Sequence, residues 1–149
     1  MKLKIYNDEV WIKDNTILPL NFNSFNDHER WDYIYDNKLL HREDGPAIIY
    51  SNGDEVWYLN GLRHREKGPA VISSKGSKTW YLNGLLHRLN GPAVIYFDGS
   101  KSWYLNGVRV DGEIYKKIEE SSMEELLMYM ILPKYKDYLS LIEYRLDIV

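Results

Sequence analysis

The hydrophobic residues of this chain recur in short blocks at a spacing of 23 residues. The block Trp57-Tyr58-Leu59 precedes an Asn-Gly dipeptide, and the same block returns at Trp80 and again at Trp103. Short apolar runs on both sides of Asn-Gly are typical of β-hairpins, because a type I′ turn needs a positive φ at both central residues. A fixed period of this length predicts a repeat architecture in which copies of one unit stack side by side.

A second set of turns alternates with the first, so each unit is expected to contribute two strands. These turns are Asn52-Gly53, Lys75-Gly76 and Asp98-Gly99. The segment 64–72 is then one strand bent at Gly68-Pro69, since proline cannot donate to a strand ladder. A chain reversal at Gly-Pro, with three strands per unit, is the alternative.

Two-residue turns also predict which side chains share a face of the sheet. Across Asn60-Gly61, Tyr58 lies opposite Arg63 and Trp57 lies opposite His64, while the second turns place Val71 on the tryptophan face. The first predicted face carries Trp57, Trp80 and Trp103 with His41, His64 and His87. The second carries Tyr35, Tyr58, Tyr81 and Tyr104 with Arg42, Arg65 and Arg88.

The pattern changes near both ends of the chain. Asp8-Glu-Val-Trp11 matches Asp54-Glu-Val-Trp57 two periods later, which indicates a degenerate repeat over residues 1–33. After Tyr115 the spacing becomes helical: Ser122 to Glu125 is a capping box, residues 126–132 are apolar nearly all round and expected to be buried, and residues 135–149 are amphipathic.

We therefore predict a mainly β protein, a single-layer antiparallel meander of repeated β-hairpins with a C-terminal α-helical cap. The regular repeats occupy residues 34–115, the cap occupies residues 116–149, and the whole forms one structural domain. The cap is expected to cover the open end of the sheet.

Composition narrows the functional classes. The chain has 149 residues, a net charge of −3 and no cysteine. This charge disfavours nucleic acid as a partner, and no apolar run reaches the ~20 residues of a membrane-spanning helix, so no membrane insertion is expected. A cytoplasmic location, in a bacterium or an infected host, fits the absence of cysteine and of a signal peptide.

The recurring histidines suggest a metal site or a catalytic site, but their spacing and their neighbours do not support either one. Equivalent residues of successive units should stand ~10 Å apart, whereas the ligands of one zinc ion lie within about 2.1 Å of it. No serine or cysteine nucleophile recurs with them. We predict that the chain is not an enzyme and that it has no metal site or cofactor. We expect the histidines to have a structural role, in which each packs beside its cross-strand tryptophan (Ile34 in the first copy) and bonds a loop carbonyl near Gly-Pro.

The arginines leave two interpretations open. Arg42, Arg65 and Arg88 could pair with Glu43, Glu55 or Glu66 on a solvated face, which contributes little stability. Alternatively, arginine beside a row of tyrosines is the composition of an interaction hot spot.

The motif Trp-Tyr-Leu-Asn-Gly-x-x-His-Arg-x-x-Gly-Pro-Ala at this period resembles the variant class of MORN repeats, found in bacterial, phage and large-virus proteins, some of them catalogued as antitoxin-like. The match covers residues 34–107 well, residues 8–33 poorly and the C-terminal helices not at all, and Val110-Asp111 replaces His-Arg in the last copy. The resemblance implies a meander of hairpins that binds proteins, and sometimes lipids, without catalysis.

The leading hypothesis is a non-catalytic protein-binding module that inhibits or sequesters another macromolecule, as an antitoxin or a phage counter-defence protein would. The expected partner-binding residues are the tyrosine and arginine rows. Two alternatives stay open: a module for a small anionic ligand or nucleotide held by the in-register arginines, and an assembly protein that forms a homo-oligomer through residues 121–149.

Overall fold

The computed structural model describes residues 1–146 and confirms a mainly β meander with a helical cap. Nine strands form one antiparallel sheet in the order β1-β2-β3-β4-β7-β8-β11-β12-β13. Two further pairs, β5 with β6 and β9 with β10, form the hairpin tips. The strands are β1 (Lys2–Ile5), β2 (Asp8–Trp11), β3 (Ile48–Ile49), β4 (Glu55–Val56), β5 (Tyr58–Leu59), β6 (Leu62–Arg63), β7 (Val71–Ile72), β8 (Lys78–Thr79), β9 (Tyr81–Leu82), β10 (Leu85–Leu86), β11 (Val94–Ile95), β12 (Lys101–Leu105) and β13 (Val108–Val110).

The Asn-Gly turns have the predicted geometry and register. Asn60 and Gly61 both have positive φ, 52° and 78°, and the same holds in the next two copies. Tyr58 pairs with Arg63 and Leu59 pairs with Leu62. Asparagine tolerates this left-handed conformation better than other side chains and glycine adopts it freely, so the dipeptide selects the turn.

Each unit has two strands, and the Gly-Pro segment is a bend rather than a reversal. The amide of His64 donates to the carbonyl of Trp57 (3.2 Å), and six residues later the carbonyl of Ala70 accepts from the amide of Trp57 (2.7 Å). The chain therefore leaves its partner strand and returns to that same strand. Residues 65–69 bulge out between the two contacts.

The second set of turns has three loop residues, which corrects the predicted face of Val71. The amide of Ser73 donates to the carbonyl of Ser77 (2.9 Å), and Val71 pairs with Thr79 rather than with Trp80. A register shift of one residue exchanges the two faces of a strand. Val71 consequently lies on the tyrosine face, in one row with Val56 and Thr79.

The N-terminal unit contains an inserted helix, which corrects the prediction that regular strands begin at Ile34. Trp11 and Ile12 pair with His41 and Leu40 as Trp57 and Tyr58 pair with His64 and Arg63. The Asn-Gly turn between them is replaced by residues 13–39, which include a 3₁₀ turn (Phe22–Ser24) and α1 (Asp27–Asp36).

Ile34 and Tyr35 are thus helical, and the predicted boundary between residues 33 and 34 falls within α1. An asparagine starts this helix: Asn26 and Glu29 form a capping box with each other's backbone amides, at 3.0 and 2.8 Å. Ile34 is fully buried in the N-terminal core, which α1 forms with one face of β2, β3 and β4. The residue that pairs with His41 across the strands is Trp11 rather than Ile34 as expected, because Ile34 belongs to a helix.

Helices cover the other end of the sheet, as predicted, but they begin at Gly112, so the predicted boundary between residues 115 and 116 falls within the first of them. They are α2 (Gly112–Glu120), α3 (Met123–Met130), a 3₁₀ helix (Pro133–Tyr138) and α4 (Leu139–Arg145). Leu105 and Val110 of the last hairpin are buried against them. The capping box of Ser122 and Glu125 at the start of α3 is confirmed.

The expectation that residues 126–132 are buried nearly all round is wrong. In α3 the buried residues are Leu126 and Tyr129, whereas Leu127, Met128 and Ile131 are each more than half exposed. The helix lies on the outside of the cap and packs through one side. In the amphipathic segment Tyr135, Tyr138, Ile142 and Leu146 are buried as its spacing indicates, whereas Leu139, which shares that spacing, is exposed. Val149 lies outside the described residues.

Candidate interaction surface

Each arginine of the His-Arg dipeptides is stacked on a tryptophan of its own unit. The guanidinium carbon lies 4.0 Å from the ring centroid of Trp11 for Arg42, 3.9 Å from that of Trp57 for Arg65, and 3.9 Å from that of Trp80 for Arg88. The same groups donate to the carbonyls of Pro46, Pro69 and Pro92 at 3.0–3.2 Å. Arginine thus fastens the Gly-Pro bulge to the tryptophan ring, and we call this arrangement the arginine clamp.

Glycine completes the clamp because the guanidinium packs against its α-carbon. A Cβ added to Gly68 would lie 3.2 Å from Cζ of Arg65, and Gly68 has φ +133°. The corresponding distance to Cζ is 2.8 Å at Gly45 for Arg42 and 3.1 Å at Gly91 for Arg88. The spacing Arg-x-x-Gly-Pro therefore describes a cation held between an indole ring and a residue without a side chain.

The clamp corrects the predicted row of arginines beside the tyrosines. Arg42, Arg65 and Arg88 lie on the tryptophan side, because the bulge turns them away from the strand alternation that the prediction assumed. The pairing with Glu43, Glu55 or Glu66 is not found among the described residues either. Arg42 bonds Asp44 (2.7 Å) and Arg88 bonds the side chain of Asn90 (3.1 Å).

The recurring histidines bond the backbone, but not at the predicted atom. Nδ1 of His41, His64 and His87 accepts from the backbone amide of Asn60, Asn83 and Asn106 at 3.0–3.1 Å. Each histidine therefore holds the Asn-Gly turn of the following unit, not a carbonyl near Gly-Pro. Accepting at Nδ1 requires a neutral ring, and burial lowers the pKa of His87 below its ordinary value.

A second row of bonds between units was not foreseen. The carboxylate of Asp8 accepts from the amide of Ser51 (2.8 Å), that of Asp54 accepts from the amide of Ser74 (2.7 Å), and the hydroxyl of Ser77 accepts from the amide of Phe97 (3.0 Å). The hydrogen bonds from Ser74 lower the pKa of Asp54. Asp54 and Ser77 are 23 residues apart and therefore occupy equivalent positions of two units. This spacing could have predicted the row of bonds, but the change from aspartate to serine concealed the equivalence.

In the last unit the cap replaces the clamp. Val110-Asp111 stands where His-Arg would be, and the side chain of Asp111 caps α2 by accepting from the amides of Glu113 and Ile114. The ring of Trp103 is covered by Gly112, whose added Cβ would lie 2.8 Å from it. Tyr115 of α2 bonds the preceding bulge at the carbonyl of Leu89 (2.5 Å) and the amide of Gly91 (2.8 Å).

The four predicted tyrosines have different environments. Tyr35 belongs to α1, stacks on Trp31 at 5.4 Å, and has its pKa raised by burial and by the hydroxyls of Tyr50 and Tyr58. Tyr58 is buried in the N-terminal core. Tyr81 and Tyr104 are half-buried beyond the region that α1 covers.

Two other arginines accompany these last tyrosines. Arg63 is exposed and its guanidinium bonds the hydroxyls of Tyr58 and Tyr81, both at 3.3 Å. Arg109 is exposed and lies directly across the strand pair from Tyr104. We call Arg63, Tyr81, Tyr104 and Arg109 the open tyrosine surface. The predicted pairing of Tyr58 with Arg63 already implied that Arg63 lies on the tyrosine face.

Shallow grooves run along the tryptophan side next to the Gly-Pro bulges. The central one has a volume of about 620 Å³, and its neighbours have about 760 and 590 Å³. The central groove is lined by the clamps of Arg42 and Arg65 together with Trp57, Leu59 and His64. The walls of these grooves include the bulge residues that the arginine clamps hold in place.

Comparisons of the chain with family models, curated proteins and solved structures find no match. Within residues 1–146 no three His, Cys, Asp or Glu side chains are grouped closely enough to hold a metal ion. None of the helices in this part of the chain is long and apolar enough to cross a membrane.

Proposed function

We propose that this chain is a non-catalytic protein-binding module that inhibits or sequesters another macromolecule, and that the open tyrosine surface is its contact site. The observation that carries the proposal is the environment of Arg63. Its guanidinium is held between two tyrosine hydroxyls, and no carboxylate within residues 1–146 forms an ion pair with it.

A cation positioned in this way is prepared to receive a carboxylate from outside the chain. The two tyrosine hydroxyls fix the guanidinium before binding, which reduces the entropy that is lost on association. Arginine and tyrosine are also the residues most enriched in the energetic centres of protein interfaces. We therefore expect the partner to be a protein with an acidic side chain at the centre of its contact surface.

The resemblance to variant MORN repeats supports a binding role and is the sole basis for an antitoxin-like or counter-defence activity. The alternative of a small anionic ligand would rely on Arg42, Arg65 and Arg88. Those guanidinium groups already stack on tryptophan and bond proline carbonyls. A ligand would have to compete with these contacts, so the geometry favours the protein partner.

The test is affinity purification from the native cell or infected host, with the chain as bait and mass spectrometry of the eluate. Three baits are compared: wild type, Arg63→Gln and Lys78→Gln. Lys78 is a matched control, because it is an exposed cation of the nine-stranded sheet and lies on the face opposite to that of Thr79 and the tyrosines. Circular dichroism establishes that all three baits are folded.

The proposal predicts one stoichiometric protein that is retained by wild type and Lys78→Gln and is lost, or reduced at least tenfold, with Arg63→Gln. Equal recovery by all three baits would refute the open tyrosine surface as the contact site. An eluate without any protein partner would refute the binding function itself.

A further inference from the structure

The outer side of α3 and the two residues that follow it carry large apolar side chains that are exposed to water. Met123 is 56% exposed, Leu127 54%, Met128 56%, Ile131 73% and Leu132 37%. Three of these residues, at positions 123, 127 and 131, are spaced by four and therefore lie along one side of the helix. We call the five residues the α3 stripe.

The stripe is not explained by the packing of the cap. The helix contacts the cap core through Leu126 and Tyr129, which lie on its other side. Isolated exposed hydrophobic residues are normal in folded proteins, but a contiguous apolar row marks a surface that another molecule covers.

The charges at the two ends of the stripe indicate what covers it. Glu124 lies in the first turn of α3, where a carboxylate also interacts favourably with the helix dipole. Lys134 follows the last stripe residue by two positions, and both side chains are exposed. The stripe is therefore acidic at its beginning and basic at its end.

A surface with this arrangement is complementary to itself in the antiparallel direction. When two copies meet about a twofold axis near Leu127 and Met128, Glu124 of each copy approaches the end of the other stripe, which carries Lys134. The apolar residues of the two stripes then face each other, and the two helix dipoles oppose. We infer that the α3 stripe is a homodimer contact in which α3 pairs antiparallel with α3 of a second copy.

This inference is independent of the proposed binding function, because it concerns a different surface and the chain alone. An interface made by two turns of helix and the adjoining loop is small, so the dimer is expected to be weak and to dissociate on dilution. The molecule that covers the stripe is a second copy of the chain, so its concentration is that of the protein itself.

The first test measures the mass of the purified full chain by light scattering and sedimentation equilibrium as a function of concentration. The expected result is a reversible rise from 17.7 kDa towards twice that value. Ile131→Ser should weaken the dimer at least about tenfold. Phe97→Ser is the control, since Phe97 is also 73% exposed but lies in a turn of the sheet.

The second test reverses the charges and does not rely on apolar substitutions. Glu124→Lys alone, or Lys134→Glu alone, places like charges together and should weaken self-association. The double variant Glu124→Lys/Lys134→Glu should restore it, and an equimolar mixture of the two single variants should form a heterodimer. A partner other than a second copy would not be restored by the double change.

Two results would overturn the inference. One is a mass of 17.7 kDa at every concentration up to the solubility limit. The other is a dimer whose stability is the same in Ile131→Ser, in both single charge variants and in wild type.

Discussion

The assignment of Arg65 to the arginine clamp can be tested against Arg63, which lies two residues earlier in the chain. In the clamp, Arg65 stabilises the bulge of its own unit, whereas Arg63 faces outward on the open tyrosine surface. We consider Arg65→Met and Arg63→Met, since methionine keeps most of the aliphatic stem and removes the charge and the donors. The two changes alter composition identically, so any difference reflects position.

The expected magnitude follows from the contacts that each arginine makes. Arg65 loses a charged hydrogen bond to the carbonyl of Pro69 at 3.0 Å, a contact class that contributes ~1.5–3 kcal/mol, and a stack on Trp57 at 3.9 Å that contributes ~0.5–2 kcal/mol. The half-buried guanidinium is partly solvated, which lowers the sum, and we expect a loss of about 2 kcal/mol. Arg63 is exposed, its bonds are 3.3 Å long, and we expect a loss of no more than about 0.5 kcal/mol.

The assay is thermal and urea unfolding followed by circular dichroism. For a domain of this size, 2 kcal/mol corresponds to a decrease in Tm of about 4–8 °C. Arg65→Met should show that decrease in Tm and still retain the partner in the affinity purification. Arg63→Met should leave the Tm almost unchanged and lose the partner. Equal stability of the two variants, or a greater loss in Arg63→Met, would refute the clamp as a stabilising contact.

The remaining predictions concern the histidine bonds and the glycine of the clamp. His87 has a lowered folded-state pKa, so its neutral form adds stability that is complete above the unfolded-state pKa of about 6.5 and is lost as the pH falls through that value towards the folded-state pKa. The difference in free energy of unfolding between wild type and His87→Ala should therefore shrink between pH 7.5 and pH 5, and a constant difference would contradict burial of the His87 ring as the cause of its lowered pKa. Gly68→Ala should destabilise more than Gly76→Ala in the same unfolding assay: both positions have φ above +90°, but an added Cβ meets Arg65 at Gly68 and nothing within 4 Å at Gly76. Equal losses would mean that backbone strain alone accounts for the glycine.

The arginines and Val71 show where prediction from the sequence fails. The alternation of side chains holds only while the strand is regular, and both errors follow a departure from it. Arg65 follows the point where the chain leaves its partner strand, and Val71 precedes a turn with three loop residues rather than two. At Val71 one residue of offset exchanges the two faces of the strand, and at Arg65 the alternation ends because the bulge begins there. The sequence does not state either the length of the turn or the point where the strand is interrupted.

The first unit shows a different ambiguity. Ile12 and Leu40 are 28 positions apart, whereas their equivalents Tyr58 and Arg63 are five positions apart, a difference of 23. The insertion is therefore as long as one repeat. The period alone cannot distinguish a degenerate repeat from a helix inserted into a hairpin, and Tyr35 was placed in the tyrosine row for that reason.

The sequence by itself determined the local features of this protein: the 23-residue repeat, the Asn-Gly turns, the pairing of Tyr58 with Arg63 and the capping box at Ser122. Each depends on the conformational preferences of a few neighbouring residues, which are present in the chain before it folds. Tertiary structure decided the partners of the arginines and histidines, the place of α1 and the exposed side of α3. The partners of the arginines and histidines and the place of α1 depend on contacts between segments that are distant in the chain. The α3 stripe stays exposed because α3 packs against the cap core through its opposite side, with Leu126 and Tyr129.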